Sequence, residues 1–156
     1  MKRARTFLTA FTATAVLALL AIAGCGTAAG TSADNAFAGY KWQVVTITHD
    51  GKQTPIPERY DVYLNFARNG QFGANEPVNF HGGTYRTTSD GFTMGPMSST
   101  AAGYAGHDPV TLVAVGAISA FNPGVSAAAT VSGNRLAVTV DGYQLSCRRD
   151  GTVTSS

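Results

Sequence analysis

Two dipeptides, Asn69-Gly70 and Asp141-Gly142, constrain the fold of this chain more than any other feature. Both central residues of a type I′ turn need positive φ, which asparagine or aspartate followed by glycine adopts at little steric cost, so each dipeptide predicts a hairpin. The flanks carry the two-residue period of a strand. Val62, Leu64 and Phe66 alternate before the first turn, and residues 71–74 return from it. Residues 136–140 meet residues 143–147 across the second. Antiparallel pairing is thus written into two stretches far apart in the chain.

Further strands follow from the same signals. Residues 40–48 are rich in aromatic and β-branched types, with Trp42, Val44 and Thr46 sharing a face, and His49-Asp50-Gly51-Lys52 marks a turn. Pro55 and Pro57 break regular structure before the next run. Residues 80–87 contain Gly82-Gly83, a pair that marks a bulge or a close backbone approach. Ser89-Asp90-Gly91 turns the chain into residues 92–97, which Pro96 pushes towards an edge, and residues 98–106 form a small-residue loop. Residues 127–131 meet residues 136–140 across residues 132–135.

One helix is predicted. Asp108 is a good N-cap and Pro109 suits the first helical position. Val110, Val113, Ala114, Ala117, Ile118 and Phe121 form an apolar stripe at helical period, and Asn122-Pro123-Gly124 ends it. A run of strands, one helix and three closing strands predicts an α+β domain: a curved antiparallel β-sheet with one packed α-helix.

The N-terminus reads as an address. Lys2, Arg3 and Arg5 precede an apolar run over residues 7–21, and Ile22-Ala23-Gly24-Cys25 closes it. That is the pattern of a bacterial lipoprotein signal: the Cys25 thiol takes a diacylglycerol and a peptidase cuts between Gly24 and Cys25. A retained membrane span competes, but the run is short for the ~20 residues a span needs. An ordinary secretory signal is the other alternative. The expected organisation is a signal peptide over 1–24, a lipidated N-terminus and flexible tether over 25–38, a folded domain over 39–150 and a frayed tail over 151–156. The expected location is the outer side of the cell membrane, held by lipid.

Charge matters once the leader is removed. The precursor has 11 Lys+Arg and 9 Asp+Glu; loss of Lys2, Arg3 and Arg5 leaves 8 against 9. The basic pI therefore belongs to the precursor, and nucleic acid is not an expected partner. The alanine-, glycine- and threonine-rich composition suits a high-GC actinobacterial source. With Cys25 acylated, Cys147 is a lone thiol on a strand face shared with Tyr143 and Leu145, read as buried and structural rather than reactive.

The order and spacing of these segments resemble the META/HslJ-like domain. Gly39-Tyr40-Lys41-Trp42 is similar to its opening tryptophan strand. Tyr63-Leu64-Asn65-Phe66 with Asn69-Gly70 resembles the next strand and turn. Asn79-Phe80-His81-Gly82-Gly83-Thr84-Tyr85 is similar to its central Asn-x-x-Gly-x-Tyr segment with one residue more, and Met94-Gly95-Pro96-Met97-Ser98-Ser99-Thr100 to its methionine strand and Ser/Thr turn. The resemblance covers residues 39–148. It implies an envelope lipoprotein linked to stress or antibiotic tolerance, with no attached enzymatic activity. Family members often carry two cysteines where this chain has Val78 and about Tyr104, so the resemblance implies no disulfide here.

The residues offer little convergent chemistry. His49, His81 and His107 are isolated, each beside a turn, with no paired ligand spacing, so no metal or other cofactor is expected. Ser98, Ser99 and Thr100 with His81, His107 or Asp108 could supply a hydrolase, but no Gly-x-Ser-x-Gly elbow is present. Glu58 and Asp61 lie in a proline-bounded turn. Tyr40, Trp42, Tyr60, Tyr63, Phe66, Phe72, Phe80, Tyr85 and Phe92 could line a lipid or carbohydrate groove, or build the core. The expected function is a non-catalytic, lipid-anchored envelope domain that binds another envelope protein or supports stress tolerance. A carrier of a small apolar ligand is the alternative, and a serine-type hydrolase the third reading.

Overall fold

The structure, a computed structural model, describes residues 36–153. The signal box at Ile22, Ala23, Gly24 and Cys25 lies outside the described residues. Nine strands and one α-helix follow: β1 Tyr40–His49, β2 Lys52–Pro55, β3 Tyr63–Phe66, β4 Gln71–Asn75, β5 Phe80–Thr87, β6 Gly91–Ser99, α1 Pro109–Ser119, β7 Ser126–Ser132, β8 Arg135–Val140 and β9 Tyr143–Thr152.

The sheet closes, which corrects the expected α+β fold. Beyond the antiparallel order β1-β3-β4-β5-β6-β7-β8-β9, β1 also pairs with β9, from Tyr40 opposite Thr152 to His49 opposite Tyr143. Eight strands thereby form a closed, mostly β barrel, with β2 attached as a short hairpin on the outer half of β1. The chain is not an open curved sheet with a helix laid on one face. Two register shifts make closure possible, at Lys41/Trp42 and at Val44/Thr46. Extra residues of this kind bend a strand and increase its coil. The second shift also moves the inward face from Val44 to Ile47, both fully buried, so Thr46 does not share the face of Trp42 as its spacing predicts.

Eight strands enclose a space that side chains just fill. Trp42, Val44, Leu64, Phe66, Phe72, Phe92, Leu136, Val138, Leu145 and Cys147 all join one buried cluster. Phe66 is its hub, with ring centroids 4.9 Å from Phe37, 5.0 Å from Phe92 and 5.3 Å from both Phe72 and Tyr85. Burial pushes the Cys147 thiol up to about 12, so it stays protonated and inert.

The barrel has two unlike ends. The proximal end receives the chain at residues 36–39 and holds the turns 67–70, 88–90 and 133–134 together with the close of β9. The folded body begins before Tyr40: Phe37 is 1 % exposed, and Trp42 Nε1 donates to its carbonyl oxygen at 2.9 Å. Val153 N donates to Gly39 O, so ordered pairing also runs past residue 150. Arg149 closes this end, its guanidinium 3.9 Å from the Tyr40 ring centre and 5.1 Å from that of Trp42.

The opposite end, the helix end, is crossed by α1. Ala114, Ala117, Ile118 and Phe121 enter the barrel cluster, and a Cβ on Gly116 would meet the Tyr143 hydroxyl at 2.5 Å. The helix starts where the sequence predicts, with Asp108 as N-cap and Pro109 following. Among the described residues no helix is long and apolar enough to cross a membrane.

Candidate functional site

The polar groups that could carry function gather at the helix end. Glu76 lies in the β4–β5 turn with a fully buried side chain. Its Oε2 accepts a hydrogen bond from Val78 N at 2.7 Å, and its Oε1 lies 3.5 Å from His81 Nε2. A buried carboxylate needs such partners to offset its lost hydration. His81 projects from the start of β5 into a cleft of about 220 Å³ shared with Ser98, Ser99, Ser119 and Phe121. On the other side of Glu76, a cleft of about 410 Å³ runs between Arg59, Tyr60, Asn79, Phe80 and Thr111.

These groups do not form a nucleophile and base. Ser98 Oγ donates to Gly82 O at 3.3 Å. Thr100 Oγ1 donates to Asn79 Oδ1 at 3.0 Å and accepts from Phe80 N at 3.1 Å. Among the described residues, no hydrogen bond joins Ser98, Ser99 or Thr100 to His81 or His107. His49 lies elsewhere, stacked on Tyr143 with ring centres 4.0 Å apart. Glu58 pairs with Arg148 at 2.7 Å, and Asp61 lies 4.0 Å from Lys41, both exposed. No group of three His, Cys, Asp or Glu among the described residues is placed to hold a metal ion.

The aromatic residues divide. Trp42, Phe66, Phe72, Tyr85 and Phe92 are buried, Tyr40 and Tyr60 pack partly against the same core, and Tyr63 stacks under Lys41 at 4.4 Å. Phe80 alone of this set is strongly exposed, at 46 %, and it borders the larger cleft. Leu112, on the first turn of α1 next to cleft-lining Thr111, is 49 % exposed. Sequence reasoning missed Glu76, because a glutamate before a proline reads as a solvated turn. It also missed Phe37, which lies among small polar residues without a strand period.

Asn79 ties two segments of the chain by hydrogen bonds. Its Nδ2 donates to Ala102 O at 3.1 Å and its Oδ1 accepts from Ala102 N at 2.9 Å. This ring of bonds fastens the loop after β6 to the start of β5, with Val78 adjacent and Tyr104 two residues beyond the contact.

Asp108 fixes the mouth of the larger cleft. Its Oδ2 accepts from Thr111 Oγ1 at 2.7 Å and from Thr111 N at 2.8 Å, and its Oδ1 accepts from Tyr60 Oη at 3.3 Å. The Thr111 side-chain bond, then the Thr111 backbone bond, hold this carboxyl below the usual carboxylate range. A depressed folded-state value means that the stabilisation is complete above the unfolded value near 4 and fades as pH falls through the lower folded value. Asp108→Ala is therefore expected to melt at a lower temperature than the parent at neutral pH. The gap should narrow in acid below pH 4, as thermal melts across pH will show.

A closed eight-stranded antiparallel barrel with a helix across one end and clefts around that helix defines a small β-barrel module. The chain belongs to the META domain family, whose sequence pattern matches residues 34–150. It is similar to a protein from Burkholderia xenovorans solved by NMR, with a TM-score of 0.54 and 14 % identity over 72 % of this chain and 83 % of that one. At that identity the likeness concerns the fold. No curated protein sequence matches the chain.

Proposed function

We propose that this META-domain chain is a lipid-anchored, non-catalytic module of the bacterial cell envelope, of actinobacterial and HslJ-like type, that binds another envelope protein in support of stress tolerance. The supporting observation is the placement of its exposed apolar groups. Phe80 and Leu112 stand at the helix end, opposite the end where the chain joins the barrel from the Cys25 side. An anchor at Cys25 would hold the proximal end to the membrane and turn this face outwards.

The two other readings have less support. A carrier of an apolar ligand would need its aromatic strands to line a groove, and Trp42, Phe66, Phe72 and Phe92 are spent on the core. A hydrolase would need a serine within reach of an oriented base, and Ser98 is engaged with Gly82 O.

The anchor is tested in cells fed a palmitate analogue. Cys25→Ala is expected to accumulate at precursor length and to lose all label; undiminished labelling would refute the assignment. Affinity capture from intact cells, with Leu112→Asp as the control that loses the captured protein, identifies the partner.

A further inference from the structure

The charges of the barrel are sorted by end. The turns of the helix end carry Asp50, Asp61, Glu76, Asp108 and Asp141 against Lys52 and Arg59. The turns of the proximal end carry the reverse. Arg68 sits in the β3–β4 turn, Arg86 near the end of β5 and Arg135 beside the β7–β8 turn, with Asp90 in the β5–β6 turn and Asp150 near the close of β9 as the acids of this end. All three arginines are exposed, and none has an acidic partner within 4.0 Å among the described residues; Arg135 shares a cleft with Glu58, whose carboxylate is taken by Arg148. Other cations near this end are already engaged: Lys41 with Asp150 at 3.2 Å, Arg148 with Glu58, and Arg149 with its two rings.

The location of this free positive charge matters as much as its sign. Arg68 packs against Gly39, where the chain joins the barrel; a Cβ there would stand 2.8 Å from Arg68 Nε. Residues 26–35 are the link between Cys25 and the first described residue, and such a length spans at most roughly 40 Å. An anchor at Cys25 thus keeps this end within that distance of the bilayer surface, whose field reaches about 10 Å into solution. Guanidinium groups suit phosphate because their planar donors match its oxygens.

We propose that the proximal end, through Arg68, Arg86 and Arg135, is a docking surface for the anionic phospholipid headgroups of the membrane. It rests on the anchor reading for its place in the cell. The contact sets the orientation of the barrel: the acidic helix end is repelled by the same surface and projects away. Each basic residue near an anionic surface contributes roughly a fivefold gain in binding, so the three together give about a hundredfold.

Vesicle sedimentation tests this with the mature chain, residues 25–156, carrying Cys25→Ser so that no acyl group contributes. Vesicles of phosphatidylglycerol mixed with phosphatidylcholine should bind it at low salt, and pure phosphatidylcholine should not. Arg68→Gln, Arg86→Gln and Arg135→Gln combined should lower binding about a hundredfold with an unchanged melting temperature. Lys52→Gln with Arg59→Gln, at the other end, should leave it unaltered. Equal binding by the two variants, or none to anionic vesicles at low salt, overturns the proposal. So does tighter binding to soluble polyphosphate than to vesicles at matched phosphate concentration. Because the protein is not acylated, a loss of palmitate labelling in cells bears on the anchor alone, and a failure here bears on the surface alone.

Discussion

Phe66→Ala is expected to lower the unfolding free energy of the mature domain by about 3–5 kcal/mol. Phe66 has no solvent exposure and touches four other rings, contributed by the segment before β1 and by β4, β5 and β6. Its removal leaves a void walled by backbone that is hydrogen-bonded around a closed circumference, so the site cannot collapse to fill it. Urea unfolding of wild type and variant gives the number. A difference under about 1 kcal/mol would mean that the barrel interior is loosely packed. The Phe37→Ala variant belongs in the same series, because the two rings are 4.9 Å apart and their losses should be non-additive.

Gly91→Ala is expected to be nearly as damaging, although it adds a single methyl. A Cβ at that position would overlap the carbonyl oxygen of Ala127, stand 2.6 Å from Ala129 N and lie 3.0 Å from Ala128 C. All three atoms are backbone of β7, held to β6 by pairing of Gly91 with Ala128. Backbone in a closed sheet cannot rotate out of the way as a side chain can. The loss should reach or exceed the top of the ~1–3 kcal/mol range for overpacking. Gly133→Ala is the control: its φ of +60° is a left-handed conformation, but nothing lies within 4 Å of the added carbon. It should lose only the ~1–2 kcal/mol of that conformation. Equal effects at the two glycines would show that conformation, not contact, governs Gly91.

Local structure was legible where one residue type has one physical use. Asn69-Gly70 and Asp141-Gly142 turn hairpins and Asp108-Pro109 starts the helix; Asp141 (φ +41°) and Gly142 (φ +80°) both take the left-handed conformation of a type I′ turn, whereas at the first turn Gly70 (φ +84°) does and Asn69 does not, so that turn is not type I′. Gly83 marks a close approach, its missing Cβ replaced by Pro96 O and Met97. What could not be read is closure. Pairing of β1 with β9 joins residues at opposite ends of the domain, and no local period encodes it. Nor does a period survive a bulge, which is why Ile47 rather than Thr46 points inwards. The strand β2 was hidden by Pro55, which an edge tolerates. The helix-end cluster was half legible: His81, Ser98 and Asp108 were singled out, while Glu76, which holds His81, was not.

The seam between β1 and β9 has a temporal side. During synthesis or export, residues 40–49 emerge first and residues 143–152 last, so the opening strand waits with one edge unsatisfied until nearly the whole polypeptide is available. Such long-range closure slows folding and leaves a sticky edge in the interval. A chain that stalls or is clipped before Tyr143 cannot finish its circumference, and the Trp42 strand would then be the segment that aggregates or draws proteases.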